Sequence, residues 1–330
     1  NGGDIIVSAG ETTANSKVGG SIDVTSGLAS STTQAVGGYF SVTAGKGQSF
    51  SGGAVSLTTG EGTHTSSGSV VVRTDNAGTN GVSGHLSFTS GTASSGGSGY
   101  IQIATGSATH GEGGDIVVSI GKSKTDTDTG GDVVVTAGHS FPFSGGAVSI
   151  ATGEGTTDTS GAVIVKTMNA GTLGVSGMLS FTSGTTSSGS SGHINLFTGS
   201  ATNGKGGDML LSIGSGNTFN GGDIIVSAGE TTANSKVGGV IDVTSGLASH
   251  TTGAIGGYFS VAAGRGQSFS GGAVSLTTGE GTHTSSGSVV VRTDNAGTSG
   301  ISGHLSFTSG TASSGASGYI RIATGSATNG

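Results

Sequence analysis

Residues 53–60 read Gly53-Ala54-Val55-Ser56-Leu57-Thr58-Thr59-Gly60, an instance of Gly-x-Φ-x-Φ-x-x-Gly with Φ apolar, and this unit recurs along all 330 residues. Its first glycine falls at 3, 20, 38, 53, 68, 84, 99, 114, 131, 146, 161, 177, 192, 207, 222, 239, 257, 272, 287, 303 and 318, which makes 21 units. Most steps match the one from Gly53 to Gly68, and the spacing widens only where a loop lengthens, as from Gly20 to Gly38. Each first Φ position, from Ile5 through Val55 and Val148 to Ile320, is apolar, and so is each second one, from Val7 through Leu57 to Ile322. Two apolar positions separated by one residue have the period of a strand, whose successive side chains point to opposite faces.

This pattern predicts an all-β chain, a parallel β-solenoid of about 21 short coils of ~15–18 residues, with the Φ residues inward and coils stacked at the ~4.8 Å strand separation. Twenty-one such coils would make a rod on the order of 100 Å long. The residue two beyond the second Φ is small or modest in size (Ala9, Ser26, Ala44, Thr59), as is the second residue after the closing glycine (Ala29, Gly47, Gly62). Both are expected inward, where a coil narrows.

Composition fits a repeat rather than an ordinary domain. Glycine supplies 71 residues, proline one (Pro142), and only 9% of residues are charged. Cysteine and tryptophan are absent, so neither disulfides nor thiolate metal sites hold the chain. The formal charge of −7 comes with 11 scattered Lys and Arg, which offer no basic stripe for nucleic acid. No apolar run reaches the ~18 residues of a membrane span.

A longer period overlies the short one. Residues 1–106 return nearly unchanged at 220–325, and a partial copy occupies 144–219, where Ser51-Gly52-Gly53-Ala54-Val55-Ser56 reappears as Ser144-Gly145-Gly146-Ala147-Val148-Ser149. The expectation is a single continuous solenoid over 1–330, a window of a longer array whose surface repeats along its axis.

Candidate sites are few. The eight histidines, His64, His85, His110, His139, His193, His250, His283 and His304, fall on corners or outward positions without a positioned partner, so no catalytic residue is expected and the chain is read as a non-enzyme. Asp115 and Asp132 hold the same outward position on adjacent coils, with Asp126 and Asp128 between them, and Asp208 with Asp223 repeats the arrangement. Stacked carboxylates are a candidate calcium site, since calcium prefers oxygen ligands, although it wants six to eight of them. No other cofactor is expected. The outward row between the two Φ positions is mostly polar but turns apolar at Ile6, Val71, Val117, Val134, Ile164, Leu210, Ile225 and Val290, which suggests lateral packing against another chain. Hydroxyl-rich corners such as Thr63 to Ser67 and Thr185 to Ser188 are candidate carriers of O-linked glycans.

In its repeat unit the chain resembles the Gly/Ser/Thr-rich β-solenoid proteins of extracellular fibres: adhesin shafts, and the proteins of algal surface fibres and flagellar hairs. The resemblance implies a location outside the cell or at its surface. It also implies a self-assembling structural protomer whose partners are copies of itself or related chains, with neither nucleic-acid binding nor membrane insertion. The alternative it leaves open is a solenoid binding module, such as an adhesin stalk or an ice- or polysaccharide-binding protein.

Overall fold

The computed structural model describes residues 3–31, 34–123, 129–218, 220–250 and 253–326. It divides into two units, Asn1–Ile164 and Val165–Gly330. Within each, the repeats alternate between an open segment carrying the Φ pair and a bend that reverses or redirects the chain.

The bends close in a regular way. In the first unit the amide of Gly20 donates to the Gly10 carbonyl at 2.9 Å, Gly38 to Gly27 at 2.9 Å, Gly53 to Gly45 at 2.9 Å and Gly68 to Gly60 at 3.1 Å. The second unit repeats these bonds at the equivalent places, Gly239 to Gly229, Gly257 to Gly246, Gly272 to Gly264 and Gly287 to Gly279, at 2.9, 2.9, 2.9 and 3.1 Å. Where Asp75, Met168 or Asp294 replaces the closing glycine, a tight turn takes over, with Gly81 donating to Gly78, Gly174 to Gly171 and Gly300 to Gly297, each at 3.2 Å.

Small residues are required where the loop pinches shut. A Cβ added at Gly20 would lie 3.1 Å from the Ala9 Cβ, one at Gly53 3.4 Å from the Ala44 Cβ, and one at Gly68 3.2 Å from the Thr59 Cβ. The first glycine of each of these repeats thus faces the small residue that ends the previous open segment. Among the described residues, the half-buried ones are Ala29, Ala44, Gly47, Thr59, Gly62, Ser140, Gly155, Ala248, Thr278 and Gly281, all on the two positions that the sequence marks as narrow.

The expected β-solenoid is corrected by the same bonds. Among the described residues there is no helix and no strand. A coil-on-coil ladder needs amide partners a full repeat away. Where their bonds are described, the opening glycines donate instead to a carbonyl near the end of the repeat just before, as Gly53 does to Gly45 and Gly38 to Gly27. Local closure involves a short loop, and the entropic cost of closure rises with loop length, which favours the nearer partner. The Φ residues accordingly have no interior to enter: no described side chain is buried.

Candidate surface for self-association

Strand-like alternation survives in the exposure of the side chains. Apart from Ile5, the first Φ row runs from 50% exposed at Leu179 to 66% at Phe40, whereas the outward row runs from 74% at Val290 to 87% at Leu210. The first Φ row is thus more sheltered than the outward row without being covered, while the second Φ row, with Leu57 at 75% and Leu276 at 80%, overlaps the outward one. Ile6, Val71, Val117, Val134, Ile164, Leu210, Ile225 and Val290 are all exposed, as are the Φ residues beside them.

Two residues depart from the small-residue rule and are sheltered as a result. Ile120 and Ile213 occupy the position that holds Ala9 or Thr59 in other repeats, and each is 47% exposed. A Cβ at Gly131 would meet the Ile120 Cγ2 at 2.8 Å, and one at Gly222 the Ile213 Cγ2 at the same distance. The glycine that opens the next repeat is what gives each isoleucine its room.

The bends use two local solutions. In the first, the sequence Gly-x-Gly folds so tightly that a Cβ at Gly47 would fall on the carbonyl oxygens of Phe50 and Ser51, and Gly62, Gly155, Gly266 and Gly281 face carbonyl oxygens in the same way. The residue between the glycines, Lys46, Glu61, Glu154, Arg265 or Glu280, is exposed and lies just ahead of the bend. In the second, a glycine with positive φ turns the chain: Gly96 at 101°, Gly189 at 116° and Gly315 at 114°. Backbone of that kind is strained for residues with a Cβ.

The charged groups are scattered. Lys205 donates to Asp208 at 2.7 Å, an ion pair whose side chains are 78% and 77% exposed, so Asp208 is engaged by a residue three positions before it. Asp115 and Asp132 are both exposed, and Asp126 and Asp128 lie outside the described residues. No three His, Asp or Glu side chains among the described residues converge to hold a metal ion. At two histidines the hydrogen bond is local: the Thr63 hydroxyl lies 3.1 Å from the His64 Nδ1, repeated at 3.0 Å between Thr282 and His283. No helix of the described residues is long and apolar enough to cross a membrane.

No family model, no curated protein and no solved structure matches this chain. Its surface chemistry is therefore the basis for a functional reading. The feature that sequence patterning missed is the tight Gly-x-Gly loop with an exposed charged residue between its glycines, whose signal was present in the recurrence of Gly45-Lys46-Gly47, Gly60-Glu61-Gly62 and Gly153-Glu154-Gly155.

Proposed function

We propose that this chain is a structural protomer of an extracellular filament or cell-surface fibre, a non-catalytic protein that associates with copies of itself laterally and end to end. One observation carries the reading: the chain exposes 33205 Å² of surface and buries none of its described hydrophobic side chains. A folded monomer of 31.1 kDa would expose roughly 12,000 Å², and a fully extended chain of that mass roughly 45,000 Å². Such a chain, 31% hydrophobic, gains little from the burial of apolar surface while it stands alone. Its apolar rows find cover only in a partner, and a partner with the same rows at the same spacing is another copy.

Two further features support assembly over binding of a dissimilar ligand. With 9% charged residues, lateral approach of copies meets little repulsion. The return of 1–106 at 220–325 presents the same surface more than once along the chain, which gives copies more than one equivalent place to meet.

Electron microscopy and analytical ultracentrifugation of the purified chain over a range of concentrations test this reading. Filaments that appear above a threshold concentration are expected. A single monomeric species at every concentration, with no filaments, would refute it.

A further inference from the structure

Five Asn-Gly pairs occur in the sequence, and three of them, Asn80-Gly81, Asn203-Gly204 and Asn220-Gly221, lie wholly among the described residues. All six of these residues are exposed. An asparagine followed by glycine carries a latent reaction of its own. The side-chain carbonyl carbon can close a five-membered ring with the backbone nitrogen of the next residue, and glycine has no Cβ to crowd the approach. The local backbone decides whether that nitrogen is available.

The backbone differs among the three pairs. The Gly81 amide donates to the Gly78 carbonyl at 3.2 Å, closing the tight turn in which Asn80 sits. Loss of the amide proton, which must precede attack by the nitrogen, requires there that the turn open first. Among the described residues no such bond holds the Gly204 or the Gly221 amide. A Cβ built at Gly221 would have nothing within 4 Å, and one at Gly204 only the Ala201 Cβ at 3.8 Å, so no neighbouring segment screens either nitrogen.

We propose that Asn203 and Asn220 are sites of spontaneous covalent modification, at which the chain deamidates itself through a cyclic imide, while the turn protects Asn80. The Gly204 or Gly221 nitrogen gives its proton to water and bonds to the side-chain carbonyl carbon of the preceding asparagine. The bond from that carbon to the side-chain nitrogen breaks, and the nitrogen takes a proton from water and leaves as ammonia. Water then opens the ring. Attack at the side-chain carbonyl leaves aspartate, and attack at the backbone carbonyl leaves isoaspartate, whose chain runs through the former Cβ. Each event adds a carboxylate, in the case of Asn220 three residues before Asp223, and an isoaspartate lengthens the backbone on one side or the other of the repeat that opens at Gly207. This inference does not depend on the filament reading.

Timed incubation of the full chain at mildly alkaline pH, in buffer and in concentrated urea, tests it. Proteolysis and mass spectrometry then follow the exchange of amide for carboxylate at each pair separately. In urea the three pairs are expected to convert at similar rates. In buffer Asn203 and Asn220 should keep pace with the urea-treated chain, while Asn80 falls roughly two- to tenfold behind, the range that the net contribution of one hydrogen bond sets. Conversion of Asn80 in buffer as fast as the other two overturns the proposal, as does resistance of either Asn203 or Asn220 in buffer while the urea-treated chain converts. A lag at Asn80 that persists in urea also overturns it, because it assigns the protection to neighbouring sequence rather than to the turn.

Discussion

Val148→Asp separates a residue covered within its own chain from one covered by a neighbour. Val148 sits in the first Φ row and is 56% exposed. Were it packed between two rungs of its own chain, a carboxylate there would cost several kcal/mol of folding stability. In the structure it has no such packing, so the isolated chain is expected to be unaffected. Burying a valine side chain fully contributes ~1.5–3 kcal/mol, so covering the exposed remainder in an assembly contributes about 1–2 kcal/mol at each such contact. Loss of that amount corresponds to roughly a tenfold rise in the threshold concentration, and desolvating the new carboxylate raises it further. The assay is sedimentation of parent and variant over a concentration series, paired with circular dichroism of the dilute, dispersed chains. Equal thresholds would refute the assignment of Val148 to a contact between copies. So would a loss of several kcal/mol in the thermal stability of the dispersed variant, which would place Val148 in an interior.

The remaining expectations concern the loops and the solvent. Gly47→Ala should open its loop, because the added Cβ meets the carbonyl oxygens of Phe50 and Ser51, which are backbone and cannot swing aside; Gly60→Ala, with nothing within 4 Å, should leave its own bend intact. Amide exchange at Gly53, whose bond to Gly45 closes the first loop, reads the former, and faster exchange is expected in Gly47→Ala alone. Gly131→Ala should disturb the chain less when Ile120→Ala removes the Cγ2 lying 2.8 Å away, an interaction measurable as a double-mutant cycle on exchange rates. Gly96→Ala should cost about 1 kcal/mol of local stability although its surroundings are empty, since φ is 101°; unchanged protection of the neighbouring amides would contradict this. Sulfate should lower the threshold for assembly, because it strengthens effective apolar burial, and indifference to sulfate would argue against apolar rows as the source of cohesion.

What the sequence made legible is whatever is local. The repeat is spelled in glycine and the Φ pair, and the structure reproduces it bond for bond, Gly20 to Gly10 in the first copy matching Gly239 to Gly229 in the second. The narrow positions were readable only in part: Ala44, Thr59, Gly47 and Gly62 are half-buried, whereas Ala9 and Ser26 are exposed. The cover over the apolar rows was not readable. Alternation of Val55, Ser56 and Leu57 says that two side chains share a face, but period alone does not say whether the surface opposite that face belongs to the next repeat or to another copy. Assigning it to the next repeat produced the solenoid, which requires amide partners a whole repeat away; the glycines found nearer carbonyls, as Gly53 found that of Gly45.

The loop residues vary from repeat to repeat more than the rows they separate. Val55 and Val274 are interchangeable from repeat to repeat and nearly equal in exposure, 57% and 56%, so they specify attraction without position. Lys46 and Arg265 differ from their neighbours in kind, and each has an acidic residue at the same distance along the chain. A polymer of near-identical units needs some element that breaks the degeneracy of its own period, as edge charges and polar residues do in strand and coiled-coil pairing. If copies associate as proposed, a substitution at Gly47 or Gly266, where a Cβ would meet backbone carbonyl oxygens, should reshape the loop and alter assembly even with every apolar residue and every charge in place.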